Sequence, residues 1–155
     1  LPKHLFQKIQ RAKHFQSATM MIRQLEFSLF DFRIHLEFNP QQEQQVQSLL
    51  NEVRQLAGLY PIPDYNRFQH SFSHIFAGGY DAGYYSYKWA EVMAADVFSV
   101  FKRQGIFDPS TAEQYKNTFL ALGGAYSPLE IFIKMCGREP NTQALLKQSG
   151  IVLSE

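Results

Sequence analysis

Cysteine is nearly absent from this chain: Cys136 stands alone among 155 residues. No internal disulfide and no cysteine cage for a metal can form from it, which fits a reducing compartment. Charge is sparse too. Charged side chains make 19% of the residues, and 15 basic against 14 acidic ones leave a formal charge of +1. No basic run or stripe is present to follow a nucleic-acid backbone or an anionic membrane, so neither partner is expected. No apolar run approaches the ~20 residues that span a bilayer. Repeats, homopolymer tracts and Gly/Ser linkers are missing as well. The chain opens on Leu1-Pro2, with neither Met nor a basic-then-apolar leader, and reads as a piece of something longer.

What the chain has in quantity is rings. Phe, Tyr and Trp make 15% of it, a composition foreign to disordered segments. With 45% apolar residues the length suffices for one compact domain with a core, so residues 1–155 are expected to form a single helical piece.

Starts and stops of helices are legible. Asn39-Pro40-Gln41-Gln42 offers an N-cap and a first-turn proline for a helix through Val46, Leu49, Leu50, Val53 and Leu56, ending at Gly58. Asp108-Pro109 opens another through Tyr115, Phe119 and Leu122, which closes at Gly123-Gly124. Ser127-Pro128-Leu129-Glu130 has capping-box spacing, with a stop at Gly137, and Asn141 opens a last short helix that ends at Gly150. Between Ser17 and Phe38, Ala18, Met21, Ile22, Leu25, Leu29, Phe32 and Leu36 fall at helical spacing. Phe27, Phe30 and Ile34 make a second apolar face, so this helix is expected to be buried on two sides. A helix from about Asp81 to Gln104 carries Tyr84, Tyr87, Ala90, Ala94, Val97 and Phe101 on one stripe. Residues 58–79, with Gly58, Pro61, Pro63 and Gly78-Gly79, read as a long loop, and long loops in compact domains are usually functional. The expected fold class is all-α.

Most chemistry is excluded residue by residue. His70 and His74 stand four apart, but no Glu follows His70 and no acid lies between Asp64 and Asp81, so a metal site there is not expected. His4, His14 and His35 have no companions. Cys136 sits at a predicted helix C-terminus, where the dipole raises a thiol pKa. Ser71, Ser73 and Ser86 have no Gly-x-Ser-x-Gly elbow, and no Lys-Ser or Lys-Thr follows Gly78, Gly79 and Gly83 to make a phosphate loop.

The exception is the junction from Phe72 to Tyr87. Tyr80, Tyr84 and Tyr87 are related as i, i+4 and i+7 and share one face of a helix. With His74 and Gly78-Gly79 beside them, these phenols are placed to donate to peptide carbonyls or to an oxyanion. The same stripe runs on into Ala94, Val97 and Phe101, so spacing alone leaves a core face and a donor cluster both open.

The string FSHIFAGGYDAGYYSYKWAE, Phe72 to Glu91, resembles the segment downstream of the zinc site in the thimet oligopeptidase family of zinc metallopeptidases. Arg23-Gln24-Leu25-Glu26-Phe27 with Leu29-Phe30-Asp31-Phe32-Arg33 resembles that family's upstream helix. Gly105-Ile106-Phe107, Gly123-Gly124 and Gly137-Arg138-Glu139-Pro140 are similar to its tail. The likeness covers nearly the whole chain, in order. Two positions depart: Ala125-Tyr126-Ser127 stand where the family usually has Ser and an acid after Gly124, and Leu122 stands where Arg is common in bacterial members.

The resemblance implies the C-terminal helical portion of a mostly helical, zincin-type, cytoplasmic oligopeptidase that cuts short peptides in a deep channel. In that family two histidines of an HExxH helix and a further Glu hold zinc, and the HExxH Glu activates its water. No HExxH occurs in this chain. Zinc is therefore implied for the full-length parent and none for this segment, which by itself is expected to be inactive. By the same resemblance Tyr87 donates to the oxyanion and His74 hydrogen-bonds the substrate backbone. Tyr80 and Tyr84, with Gly78 and Gly79, line the substrate. The implied partners are short peptides and the missing zinc-bearing portion, and exposed apolar surface implies self-association of the isolated segment. The competing reading is a non-catalytic helical module that binds peptides or a protein.

Overall fold

A computed structural model describes residues 1–151, which are helical with no strand among them, as the capping and periodicity predict. The chain forms two compact units, Leu1–Lys88 and a second from Trp89 onward, with the boundary in the first turn of a long helix.

In the first unit, α1 (Lys3–Lys13) precedes α2 (Ser17–Glu37), which packs against α3 (Gln45–Ala57). The core between them holds Phe30, Ile34, Leu49, Leu50 and Val53, joined by Phe72, Ile75 and Tyr84 from further along the chain. Each large apolar side chain buried so completely contributes roughly 1.5–3 kcal/mol before entropy is counted. The two-sided burial expected for α2 does not occur here. Phe27, Phe30 and Ile34 turn inward, while Leu36 is 83% exposed and Leu25 and Phe32 are nearly half exposed. One partner helix covers one face, and α3 takes the face that carries the rings. Helix α1 buries none of its residues.

The α2–α3 corner also departs from the capping pattern. Asn39 caps only a turn: its side chain accepts the Gln41 N–H, and Gln44 then breaks the path at φ 56°. α3 starts at Gln45, whose amide reaches back to accept the Asn39 N–H and to donate to Glu37 O at 2.7 Å. On the surface, Arg33 bridges Glu37 and Glu52, both at 2.7 Å, and so joins α2 to α3.

Residues 58–79 are a loop only in their first half. Arg54 holds that half by donating to Asn66 Oδ1 at 2.9 Å. Two single-turn helices follow, α4 (Phe68–Ser71) and α5 (Ser73–Phe76). Four-residue helices do not persist alone, because nucleation costs more than one turn returns. Here ring packing fixes them: Phe68 stacks on Phe27 at 4.4 Å, Phe72 lies 4.8 Å from Phe68, and Ile75 is fully buried.

The second unit contains most of α6 (Ser86–Gln104), then α7 (Pro109–Tyr115), a π-helical turn (Lys116–Leu120), α8 (Pro128–Cys136) and α9 (Gln143–Gln148). Asp108 caps α7 as its position predicts, accepting the Thr111 N–H and hydroxyl at 2.7 Å. α8 begins where the capping box places it, yet the Ser127 hydroxyl makes no cap, and Pro128 at the first turn presets the backbone instead. Val97, Val100, Phe132 and Met135 form the core, packed by Phe101, Tyr115 and Phe119. Asp96, 1% exposed, receives both arms of Arg138 at 2.6 and 2.7 Å and the Asn141 N–H at 3.1 Å, which binds the segment after α8 to α6.

Candidate functional site

The site lies wholly within the first unit, where α5 meets the glycine-rich turn and the start of α6. α5 ends on two amides, those of Ala77 and Gly78, that share Ser73 O at 2.8 Å. The Tyr80 N–H then returns to His74 O at 3.0 Å, folding the chain back over α5. This return needs glycine twice. A Cβ on Gly78 would meet the His74 backbone at 2.9 Å, and Gly79 adopts φ +76°.

The expected helix from Asp81 does not form, because α6 starts only at Ser86. Residues 80–88 run instead through successive i to i+3 bonds, Gly83 N–H to Tyr80 O, Ser86 N–H to Gly83 O and Tyr87 N–H to Tyr84 O. Ala82 has φ 53°. The i, i+4, i+7 argument for the three tyrosines therefore does not describe them, yet the phenols meet. Three-residue turns bring side chains three apart into register, and Tyr84 and Tyr87 lie 5.2 Å apart, ring to ring. Tyr80 stacks on Tyr87 at 4.9 Å. The His74 ring lies 6.0, 5.7 and 6.4 Å from those of Tyr80, Tyr84 and Tyr87. His74, Gly78, Gly79, Tyr80, Tyr84 and Tyr87 are thus brought together.

Their environments differ. Tyr84 is buried, and its hydroxyl donates to Gln24 Oε1 at 2.8 Å. Burial pushes this phenol above its ordinary pKa. Tyr87 is 40% exposed, and a hydrogen bond with Tyr80, more than burial, raises its pKa above 10. Both phenols are neutral donors near pH 7. The exposed ones are Tyr87 and, in part, Tyr80, with His74 open to solvent beside them. This arrangement offers hydrogen-bond donors to a carbonyl or to an oxygen gaining negative charge.

The turn itself hangs on a residue that spacing did not single out. Asp31, fully buried in α2, accepts the Ala82 N–H through Oδ1 and the Tyr84 N–H through Oδ2, both at 2.9 Å. His35 Nδ1 lies 2.9 Å from Oδ1. The signal was present, since an acid between Phe30 and Ile34 on an apolar face must find buried donors. Gln24, which accepts the Tyr84 hydroxyl, carries no local mark of that role.

Among the described residues no group of three or more His, Cys, Asp or Glu is arranged to hold a metal ion, at His70 and His74 or elsewhere. Cys136 is half-buried, and burial first, then Asp96, raises its pKa, as expected of an unreactive thiol. No helix is long and apolar enough to cross a membrane among the described residues.

A helical chain that presents phenols and an imidazole on a glycine-rich turn matches one class of protein by sequence. The model of peptidase family M3 matches residues 1–151, and the chain belongs to that family. It is 49% identical over 151 residues to oligopeptidase A of Salmonella typhimurium and 48% identical to that of Escherichia coli, covering 97% of this chain and 22% of each relative. Saccharolysin of Saccharomyces cerevisiae is 32% identical over 152 residues, 97% of this chain and 21% of that protein. The chain thus spans about a fifth of the length of these curated relatives.

Proposed function

We propose that this chain is the C-terminal part of the catalytic domain of a cytoplasmic zinc oligopeptidase, and that it supplies the substrate-binding and oxyanion-stabilising side of the cleft. The observation that carries the reading is the gathering of His74, Tyr80 and Tyr87 on a turn that only Gly78 and Gly79 permit, within a chain of peptidase family M3. Tyr87 is the donor to the scissile carbonyl oxygen as it gains charge. Tyr80 holds the Tyr87 hydroxyl from one side through their side-chain hydrogen bond. His74 hydrogen-bonds the substrate backbone. The Gly78-Gly79 turn lies against the peptide, and Tyr84 supports the cluster from beneath through Gln24.

The described residues do not fit a zinc site, because no three potential ligands converge. The ligands, an HExxH pair and a further Glu by family resemblance, are assigned to the part of the enzyme outside this segment. The exposed apolar residues of α1 and α2, among them Phe6, Ile9 and Leu36, are surface for that remaining part to cover. Without it the isolated segment is expected to self-associate, to retain no zinc and to leave peptides uncut.

The test is Tyr87→Phe in the full-length enzyme, assayed on a quenched fluorescent peptide. Loss of one oxyanion donor lowers kcat by about 10²–10³-fold, with KM little changed. An unchanged kcat removes Tyr87 from this role, while a full-length protein that binds the peptide without cutting it favours a non-catalytic peptide-binding module.

A further inference from the structure

Asp31 is a buried carboxylate that the proposed chemistry does not use. A charged group with no exposure is retained only where donors satisfy it, and the donors Asp31 takes are unusual. They are the backbone amides of Ala82 and Tyr84, more than fifty residues away and inside the turn that carries the tyrosines. One carboxylate oxygen serves each amide, while His35 Nδ1 lies 2.9 Å from Oδ1 and pairs with the Asp31 backbone carbonyl at 2.8 Å. The segment so held is a poor candidate for self-maintenance: Ala82 sits at φ 53°, which a residue with a Cβ disfavours, and α6 begins only four residues later.

We propose that Asp31 is the positioning residue of the Tyr87 donor: its carboxylate holds the Ala82–Tyr84 turn in the conformation that stacks Tyr80 on Tyr87 beside His74. The inference rests on the peptidase reading for its consequence in catalysis, and on geometry alone for the turn. The core of the unit does not depend on it. Phe30, Leu50 and Val53 pack α2 on α3 regardless, and the Tyr84 ring is separately held by Phe72 at 5.0 Å. What the carboxylate decides is the backbone path between Gly79 and Tyr87. Charge-assisted acceptance by both oxygens suits this, because each amide is tied to its own oxygen of one rigid carboxylate group.

Asp31→Asn keeps the shape and removes one acceptor, placing an NH₂ against a backbone N–H. In the 155-residue chain, hydrogen exchange at Ala82 and Tyr84 is expected to accelerate about tenfold or more, while Leu49, Leu50 and Val53 in α3 keep their protection. In the full-length enzyme, kcat is expected to fall about tenfold or more with KM within about twofold, the split that a misplaced donor gives. Unchanged exchange at both amides overturns the proposal whatever becomes of Tyr87. Faster exchange with unchanged kcat, where Tyr87→Phe loses activity, also overturns it, since the turn would then not set the donor. If Tyr87→Phe is fully active, the peptidase role of Tyr87 fails separately and the exchange arm still decides whether Asp31 holds the turn. If Asp31→Asn does not fold, the unaltered chain decides: unprotected, random-coil exchange at Ala82 and Tyr84 overturns the assignment, and protection there supports it.

Discussion

Asp31 and Asp96 are the same residue in the same situation, a carboxylate hidden in a long helix, and they do different work. Asp96 faces an arginine. Its two oxygens meet the two arms of Arg138, and hydrogen bonding to that guanidinium, ahead of the Asn141 N–H, holds its carboxyl below the usual carboxylate range. Asp31 faces backbone amides, and among the described residues no Lys or Arg is recorded in a salt bridge with it. The first arrangement ties one element to another, so its loss is felt as stability. The second shapes a turn whose side chains are the candidate site, so its loss is felt at Tyr87. Burial alone marks a carboxylate as consequential; the donor it meets decides for what.

The contrast can be broken in several ways. The largest effect is expected from Tyr87→Phe, already described, which removes activity and leaves the fold. Asp96→Ala should do the reverse. It deprives a half-exposed Arg138 of two charge-assisted bonds, and after allowance for solvent around the guanidinium it should cost about 2 kcal/mol, read as a lower urea midpoint. A variant as stable as the parent would make the bidentate pair incidental. Tyr84→Phe should cost about 1 kcal/mol through the lost bond to Gln24 and leave kcat near the parent value. A kcat loss matching that of Tyr87→Phe would place Tyr84 among the donors instead of beneath them.

Acid should give the smallest and most specific effect. The folded pKa of Asp96 lies below its ordinary 3.8, so its contribution to stability is present above that value and is lost as pH falls through the lower, folded one. Urea titrations between neutral pH and pH 3 should therefore show a loss on the acid side that Asp96→Asn reduces. Equal slopes in the two proteins would remove Asp96 as its source.

Much of the fold was legible because its signals are local. Asp108-Pro109, Pro128 and the stops at Gly58 and Gly137 mark helix ends through backbone chemistry that acts within a few residues. The errors fall where a distant partner decides. Asn39 had the form of a cap, but the Gln45 side chain, by reaching back to Glu37, moved the start of α3. Phe68 and Phe72 lie in a segment with loop composition, and packing against distant rings, Phe27 first among them, makes single turns of it. The site was legible as a set of residues and not as a shape. His74, the glycines and the tyrosines stood out by type, while their expected helical register gave way to tighter turns.

The sequence by itself determined that this chain is helical, which residue types gather at the junction, and which family it belongs to, because periodicity, caps and motif spacing are written along the chain. Tertiary structure alone decided that Tyr84 is buried against Gln24 while the Tyr87 phenol is open to solvent, and that α2 shows one apolar face to solvent. It alone joined Asp31 to Ala82 and Tyr84. Those outcomes depend on which distant groups meet in space, and a buried carboxylate and two backbone amides carry no mark of one another until the chain has folded.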